Sequence, residues 1–305
     1  WPMRMIGWLM NLFAECKASV EKIEKIFNEK PVIKNPDNPV VPEELKGHVV
    51  FKDVCFEYNG VPVLKNISFE AKPGSVIAII GMTGAGKSSI VNLIPRYYDC
   101  TSGCIMIDGI DVRNYDLKEL RKHISVVMQD VFLFSDTVRE NIKFGLDDIN
   151  EDDLIQASKD ADVDEFVTHM PQGYESVIGE RGIGLSGGQK QRISIARALA
   201  RKSGILILDD ATSALDMETE FKIRKTLEKR KGLTKFIIAH RISAVKNADE
   251  ILVVSNGEIV ERGTHDELLR LKGMYYKIYC EQYKGLVASD WEESSEEDFY
   301  KKEVV

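Results

Sequence analysis

Gly81-Met82-Thr83-Gly84-Ala85-Gly86-Lys87-Ser88 fits the spacing G-x-x-x-x-G-K-[S/T] at every fixed position. The glycines let consecutive backbone N–H groups curl around a phosphate chain, the lysine carries a compact positive charge, and the hydroxyl suits Mg²⁺. Ser75-Val76-Ile77-Ala78-Ile79-Ile80, an apolar run, leads into this loop, and Ser89, Ile90, Val91 and Leu93 continue from it in a helical pattern. Strand, loop and helix therefore stand in the order that places a helix N-terminus on an anion. Lys87 is read as reaching the β- and γ-phosphates, and Ser88 as a metal ligand. Ile205-Leu206-Ile207-Leu208-Asp209-Asp210 is a second apolar strand, ending in two carboxylates. On a doubly wound sheet the ligand lies at the carboxyl ends of the strands, so both acids would face the phosphate loop. Asp209 suits the Mg²⁺ shell, and Asp210 stands beside the place of an attacking water.

Leu185-Ser186-Gly187-Gly188-Gln189 precedes a helix predicted over residues 190–200. Small residues at a helix start form another anion nest, with Ser186 and Gly188 as donors. One nucleotide has one terminal phosphate, and the first loop already takes one side of it. Two chains set head to tail, each lending this loop to the other's phosphate loop, reconcile the two nests. A C2 or pseudo-C2 pair has that form.

The elements that position these groups alternate. Apolar runs at 75–80, 124–128, 205–208, 236–239 and 251–254 read as buried parallel strands, and 49–58 is also strand-like. Helical stretches separate them, which predicts an α/β layer architecture with a mainly parallel core sheet. Between about 134 and 199 the β texture gives way to helices, enough for an inserted helical lobe. Residues 1–30 read as a helix, with Val20, Ile23, Ile26 and Phe27 on its pattern. Pro31, Pro36, Pro39 and Pro42 mark 31–46 as an extended linker.

A chain of 305 residues and 34.5 kDa buries enough surface to need no disulfide or metal staple. Its five cysteines are odd in number and scattered, which fits a reducing compartment, and Cys100 with Cys104 lacks a matching pair for zinc. No signal peptide opens the chain and no run of 18 apolar residues spans a bilayer. The net charge of −8 is concentrated at the end, because residues 286–305 carry seven acids and two lysines. That distribution argues against a nucleic-acid binder held by a broad basic face. The same composition predicts a disordered acidic tail. The start at Trp1 leads us to expect a piece of a longer polypeptide.

With these motifs in place, residues 1–285 resemble the nucleotide-binding domain of an ATP-binding cassette (ABC) transporter, of the exporter type whose membrane domain precedes it. The resemblance implies a P-loop NTPase core over 47–285, with an N-terminal antiparallel β portion and the helical lobe as an insertion. Residues 1–30 would then continue from a membrane domain in the same polypeptide, at the cytoplasmic face of the cell membrane. The loop 185–189 matches the family's signature motif. Tyr58 resembles the aromatic that stacks on adenine, and Gln129, after the strand 124–128, resembles the glutamine that senses Mg²⁺. His240 resembles the switch histidine on the γ-phosphate. Ser213-Ala214-Leu215-Asp216 looks like the D-loop across a dimer interface, and Glu180-Arg181-Gly182 like the exporter loop that touches coupling helices.

The sequence departs from the family's pattern at one point. Fully active members usually carry glutamate after the aspartate that Asp209 matches, whereas this chain has Asp210, shorter by about one C–C bond or ~1.5 Å. A base must reach its water, so hydrolysis at this site is expected to be impaired by about 10²–10⁴-fold. Such a substitution resembles one half of a heterodimeric multidrug exporter, and homodimer and heterodimer both stay open. The leading reading is an ATP-hydrolysing motor of an exporter. Its rivals are a non-transport ABC ATPase of DNA repair or translation, which would need a coiled-coil insertion or basic arms, and an interaction module with negligible turnover. A GTP switch is weaker, since no Asn-Lys-x-Asp base-reading motif occurs.

Overall fold

The computed structural model describes residues 1–146 and 149–283. The acidic stretch 286–305, expected to be disordered, lies outside the described residues. Trp1–Lys34 form a first unit, most of it helix α1 (Pro2–Phe27). Pro2 stands in the first turn, where its missing N–H has no helical partner to lose. At 1.5 Å per residue the 26 residues make a rod about 39 Å long. Among the described residues no helix is long and apolar enough to cross a membrane.

The second unit runs from Asn35. The part of the proline-rich segment that belongs to this unit is held against it. The Asn35 side chain donates to Asp116 and accepts from the Leu117 N–H, Val40 bridges Tyr115, and Leu45 is buried. The chain then passes through β1 (Val49–Tyr58), β2 (Val61–Ala71), β3 (Val76–Ile80), α2 (Lys87–Leu93), β4 (Ser102–Ile107), β5 (Ile110–Asp111), α3 (Leu117–Lys122) and β6 (Ile124–Val127). Four helices follow: α4 (Val138–Lys143), α5 (Glu151–Asp160), α6 (Asp164–Val167) and α7 (Gly187–Ala200). The remainder is β7 (Ile205–Asp209), α8 (Met217–Lys229), β8 (Thr234–Ile238), α9 (Ile242–Val245), β9 (Glu250–Ser255), β10 (Glu258–Gly263), α10 (His265–Leu271) and α11 (Met274–Gln282).

Two sheets result. The order β2-β1-β4-β5 is antiparallel throughout, and β10-β9-β3-β8-β7-β6 is parallel except for the β10 edge. The expected α/β class is found, with its antiparallel sheet at the N-terminal side. Strands β3, β7, β8 and β9 are almost wholly buried, which is why they read as unbroken apolar runs. One core joins the antiparallel sheet, through Phe51 and Phe69, to α2 and to Ile79 and Ile207 of the parallel sheet. A second core gathers α4, α5 and α7 around Ile142, Leu154 and Ile195. This helical lobe is pinned by Arg197, whose guanidinium donates to the carbonyls of Asn141 and Phe132 and lies over the Phe144 ring. Burial pushes the Arg197 pKa down to about 10.

Candidate functional site

β3 delivers the chain to the phosphate loop from the middle of the sheet, with Ile79 beside Ile238 of β8 and Leu252 of β9. Two glycines of the loop are there by necessity. A Cβ on Gly81 would lie 2.1 Å from the Val254 carbonyl oxygen. Gly86 caps α2 at φ +99°, where a Cβ would also meet the Leu64 side chain at 2.8 Å. The same contact seats the antiparallel sheet, which carries Tyr58, against the loop. Lys87 is buried and donates to the carbonyls of Gly81 and Met82, both at 2.8 Å. Burial lowers its pKa, while the carboxylates of Asp209 and Asp210 pull the other way.

Asp209 closes β7 in register with Ile238. Burial raises its pKa and Asp210 adds to that effect, whereas the Ser88 hydrogen bond, Lys87 and His240 oppose it. A carboxylate left short of positive charge beside a hydroxyl is a fitting place for a hard divalent cation. The Ser88 hydroxyl and the Asp209 carboxylate, hydrogen-bonded to each other, are oxygen donors of the kind that hard divalent cations take. Asp210 follows with φ +48°, a left-handed conformation that short polar side chains tolerate. Its N–H donates to the Ile238 carbonyl at 2.9 Å.

Gln129 stands exposed just past β6, and His240 exposed just past β8. The carboxyl ends of β6, β7, β3 and β8 thus carry Gln129, Asp209 with Asp210, the loop 81–88, and His240 along one edge of the sheet. Tyr58 ends β1 at the Asn59-Gly60 turn, half exposed, with its ring edge-on to Tyr98 at 5.8 Å. Met82, Thr83 and Gly84 lie on the open side of the loop, while Ala85 faces the core and Ser89 is partly covered.

The signature segment differs from expectation at the helix start. α7 begins at Gly187, three residues before the predicted Lys190, so Gly188 and Gln189 belong to its first turn. A capping box explains this. The Gln189 N–H donates to the Ser186 hydroxyl oxygen, and the Ser186 N–H donates to Gln189 Oε1 at 2.9 Å. Ser186, expected to be a donor, here accepts; that bond does not use its hydroxyl proton. A Cβ on Gly188 would lie 3.0 Å from the Ala214 carbonyl oxygen, so the first turn rests on the segment 213–216.

Two residues at this junction were not singled out from the sequence. Buried Gln191 donates to Ser213 Oγ at 3.1 Å and accepts from the Ala214 N–H at 3.0 Å. Arg241 pairs with Glu220 at 3.4 Å and leans toward the Ser213 and Leu215 carbonyls. Gln191 shares the buried stripe of α7 with Ile195 and Ala198, and a polar residue on an apolar stripe was the available signal.

The ABC transporter family model matches residues 64–213, from β2 through the phosphate loop and signature segment to Ser213. The chain belongs to the ABC transporter family. It is an exporter-type nucleotide-binding domain, and ATP binding follows from the family. The chain is 48% identical over 289 residues to the uncharacterized ABC transporter ATP-binding protein YknU of Bacillus subtilis, covering 94% of this chain and 49% of that protein. It is 43% identical over 284 residues to the ATP-dependent lipid A-core flippase of Syntrophus aciditrophicus, covering 93% and 47%. The structure of a bacterial Atm1-family ABC exporter with ATP bound superimposes with a TM-score of 0.85 at 36% identity, over 92% of this chain and 50% of that one. The chain thus spans about half the length of the relatives it matches.

Proposed function

We propose that this nucleotide-binding domain is the ATP-driven motor of a membrane exporter, working in a head-to-tail pair with a second domain of its kind. The observation that carries the proposal is the single sheet edge that joins the phosphate loop, Asp209, Asp210 and His240. Tyr58 would stack on adenine. Backbone N–H groups of 81–86 and the Lys87 ammonium, swung from the Gly81 and Met82 carbonyls, would hold the phosphates, with Ser89 next to Ser88 in the first turn of α2. Ser88, Gln129 and Asp209 would hold Mg²⁺, which when bound supplies positive charge against the charge that develops on the transferred phosphoryl group. Asp210 would orient the attacking water and accept its proton, and His240 would meet the γ-phosphate. Ser186, Gly188 and Gln189 would serve the nucleotide of the partner domain.

The transmembrane domain of this exporter would lie upstream in the same polypeptide and hold the motor at the cytoplasmic face of the membrane. The exporter names among the relatives support this reading over a DNA-repair or translation ATPase. The shorter Asp210 favours a heterodimer whose other half carries the more active site. Sedimentation of the chain with its cognate partner domain, with and without Mg-ATP, tests the composite site. Association that requires ATP is the expected result. Equal sedimentation in both conditions would contradict the head-to-tail pair.

A further inference from the structure

The last helix among the described residues, α11, takes hold of the loop that carries His240. α11 starts where the Glu261 carboxylate receives the N–H groups of Met274 and Tyr275. Its buried Tyr275 and partly buried Ile278 share a core with Ala239 and Ile242, which flank His240 and Arg241. Packing of this kind fixes the final turn of α11 beside the loop after β8. From that turn Gln282 makes two hydrogen bonds to the loop. Its Nε2 donates to the His240 carbonyl at 2.5 Å, and its Oε1 accepts from the Ile242 N–H at 2.9 Å.

A carbonyl and the N–H two residues further on are the pair that one residue of a neighbouring parallel strand would engage. β8 pairs with β3 and β7 only as far as Ile238. Beyond that point the Gln282 amide takes the place of a strand, opposite Arg241. On the near side, the Ile238 carbonyl is taken by the Asp210 N–H. The backbone of His240 is therefore bracketed, by Asp210 two residues before it and by Gln282 at its own carbonyl. Only a primary amide offers a donor and an acceptor together at this length. Glutamate lacks the donor, leucine lacks both, and asparagine is shorter by about 1.5 Å.

We infer that Gln282 is a positioning residue for hydrolysis. It fixes the peptide planes on either side of Arg241 and so the direction in which the His240 imidazole is presented to the terminal phosphate. The inference rests on the proposed role of His240. It makes the end of α11 a determinant of turnover that never touches nucleotide.

The test uses Gln282→Leu, Gln282→Glu and His240→Ala in this chain with its cognate partner domain, both as it stands and with Asp210→Glu. Phosphate release at saturating Mg-ATP, ATP affinity by calorimetry and the melting temperature are measured together. ¹⁵N-histidine spectra of the chain report the His240 ring, identified among the five histidines by its loss in His240→Ala. Both Gln282 variants are expected to slow phosphate release at least about tenfold, with ATP affinity within about threefold of the parent. They are also expected to lose the ATP-dependent shift of the His240 ring signals. Parental rates and ring shifts in both variants would overturn the inference. So would a fall in rate that merely tracks a fall in ATP affinity and folded fraction. If Gln282→Leu does not fold, the nearly isosteric Gln282→Glu decides on the same criteria. Parental hydrolysis in His240→Ala would remove the role of His240 and the clamp with it. Loss of hydrolysis in His240→Ala beside parental Gln282 variants would overturn the clamp alone.

Discussion

The side-chain nitrogen of Gln191 lies 3.1 Å from the hydroxyl oxygen of Ser213, and that hydroxyl donates in turn to the carbonyl of Asp210 at 2.9 Å. The start of the signature helix is thus two hydrogen bonds away from the residue that follows Asp209. A shift of α7 on engaging a second domain would be felt at the backbone of Asp210 without passing through the phosphate loop.

Gln191→Leu cuts this link while filling nearly the same volume. Leaving the Ala214 N–H without its acceptor should cost about 1–3 kcal/mol of stability. Phosphate release should fall more than ATP affinity, because the link ends on Asp210 and not on the phosphate loop. Parallel denaturation, calorimetry and phosphate-release measurements check this. An equal loss in binding and turnover would assign Gln191 to packing alone.

Lys87→Ala should abolish ATP binding in calorimetry. The ammonium is buried at some cost, as its lowered pKa indicates, so removing it should leave the nucleotide-free fold close to parental stability. The charge penalty is full below the lowered folded pKa of the lysine and fades as pH rises toward the unfolded value of about 10.4. A variant that binds ATP as the parent does would refute the phosphate assignment.

Asp216 caps α8, accepting the Thr219 N–H at 2.9 Å and the Thr219 hydroxyl at 2.9 Å. These bonds hold its pKa below the ordinary aspartate value, chiefly through the Thr219 backbone. For a depressed carboxylate the stabilisation is complete above the unfolded value near 4 and is lost as pH falls through the lower folded value. Asp216→Ala should therefore lower the melting temperature at pH 7, with a gap to the parent that narrows toward pH 3. Melting curves across that range check it, and a constant gap would show that the ionised cap contributes nothing.

What could be read from the sequence depended on the kind of burial. β3, β7, β8 and β9 are covered on both faces, so each declares itself as an apolar run. β2 and β10 alternate between core and solvent, β4 opens on the exposed Ser102 and Gly103, and β5 has only two residues, so a search for runs passes over them. Their signal lay elsewhere. Asn59-Gly60, Asp108-Gly109 and Asn256-Gly257 connect β1–β2, β4–β5 and β9–β10, and both residues of each pair have positive φ. These are the dipeptides that two-residue hairpins of type I′ require. The phosphate loop and the Asp209-Asp210 pair were legible because their chemistry is local in sequence. Gln191 and Gln282 were not, since their partners lie 22 and 42 positions away and only the folded chain brings them together.

The last prediction concerns Asp210. Its backbone sits at φ +48° and its N–H is held by Ile238, so the peptide that carries the carboxylate is fixed and the shorter side chain cannot gain reach by a backbone shift. ATP affinity should be near that of other such domains, because charge and direction are kept, while hydrolysis should be slow. Asp210→Glu adds the missing methylene and should raise phosphate release at this site at least several-fold, at unchanged ATP affinity. The left-handed backbone tolerates aspartate better than glutamate, so the same variant should lose stability, on the order of 1 kcal/mol. Asp210→Asn keeps the shape and removes the base, and should lower residual turnover while binding persists. Phosphate release with the cognate partner at saturating Mg-ATP, together with melting curves, separates these effects. A faster but less stable Asp210→Glu domain would mean that aspartate here trades turnover for a relaxed backbone. Equal rates, with chemistry established as the slow step, would instead mean that reach is not what limits this site.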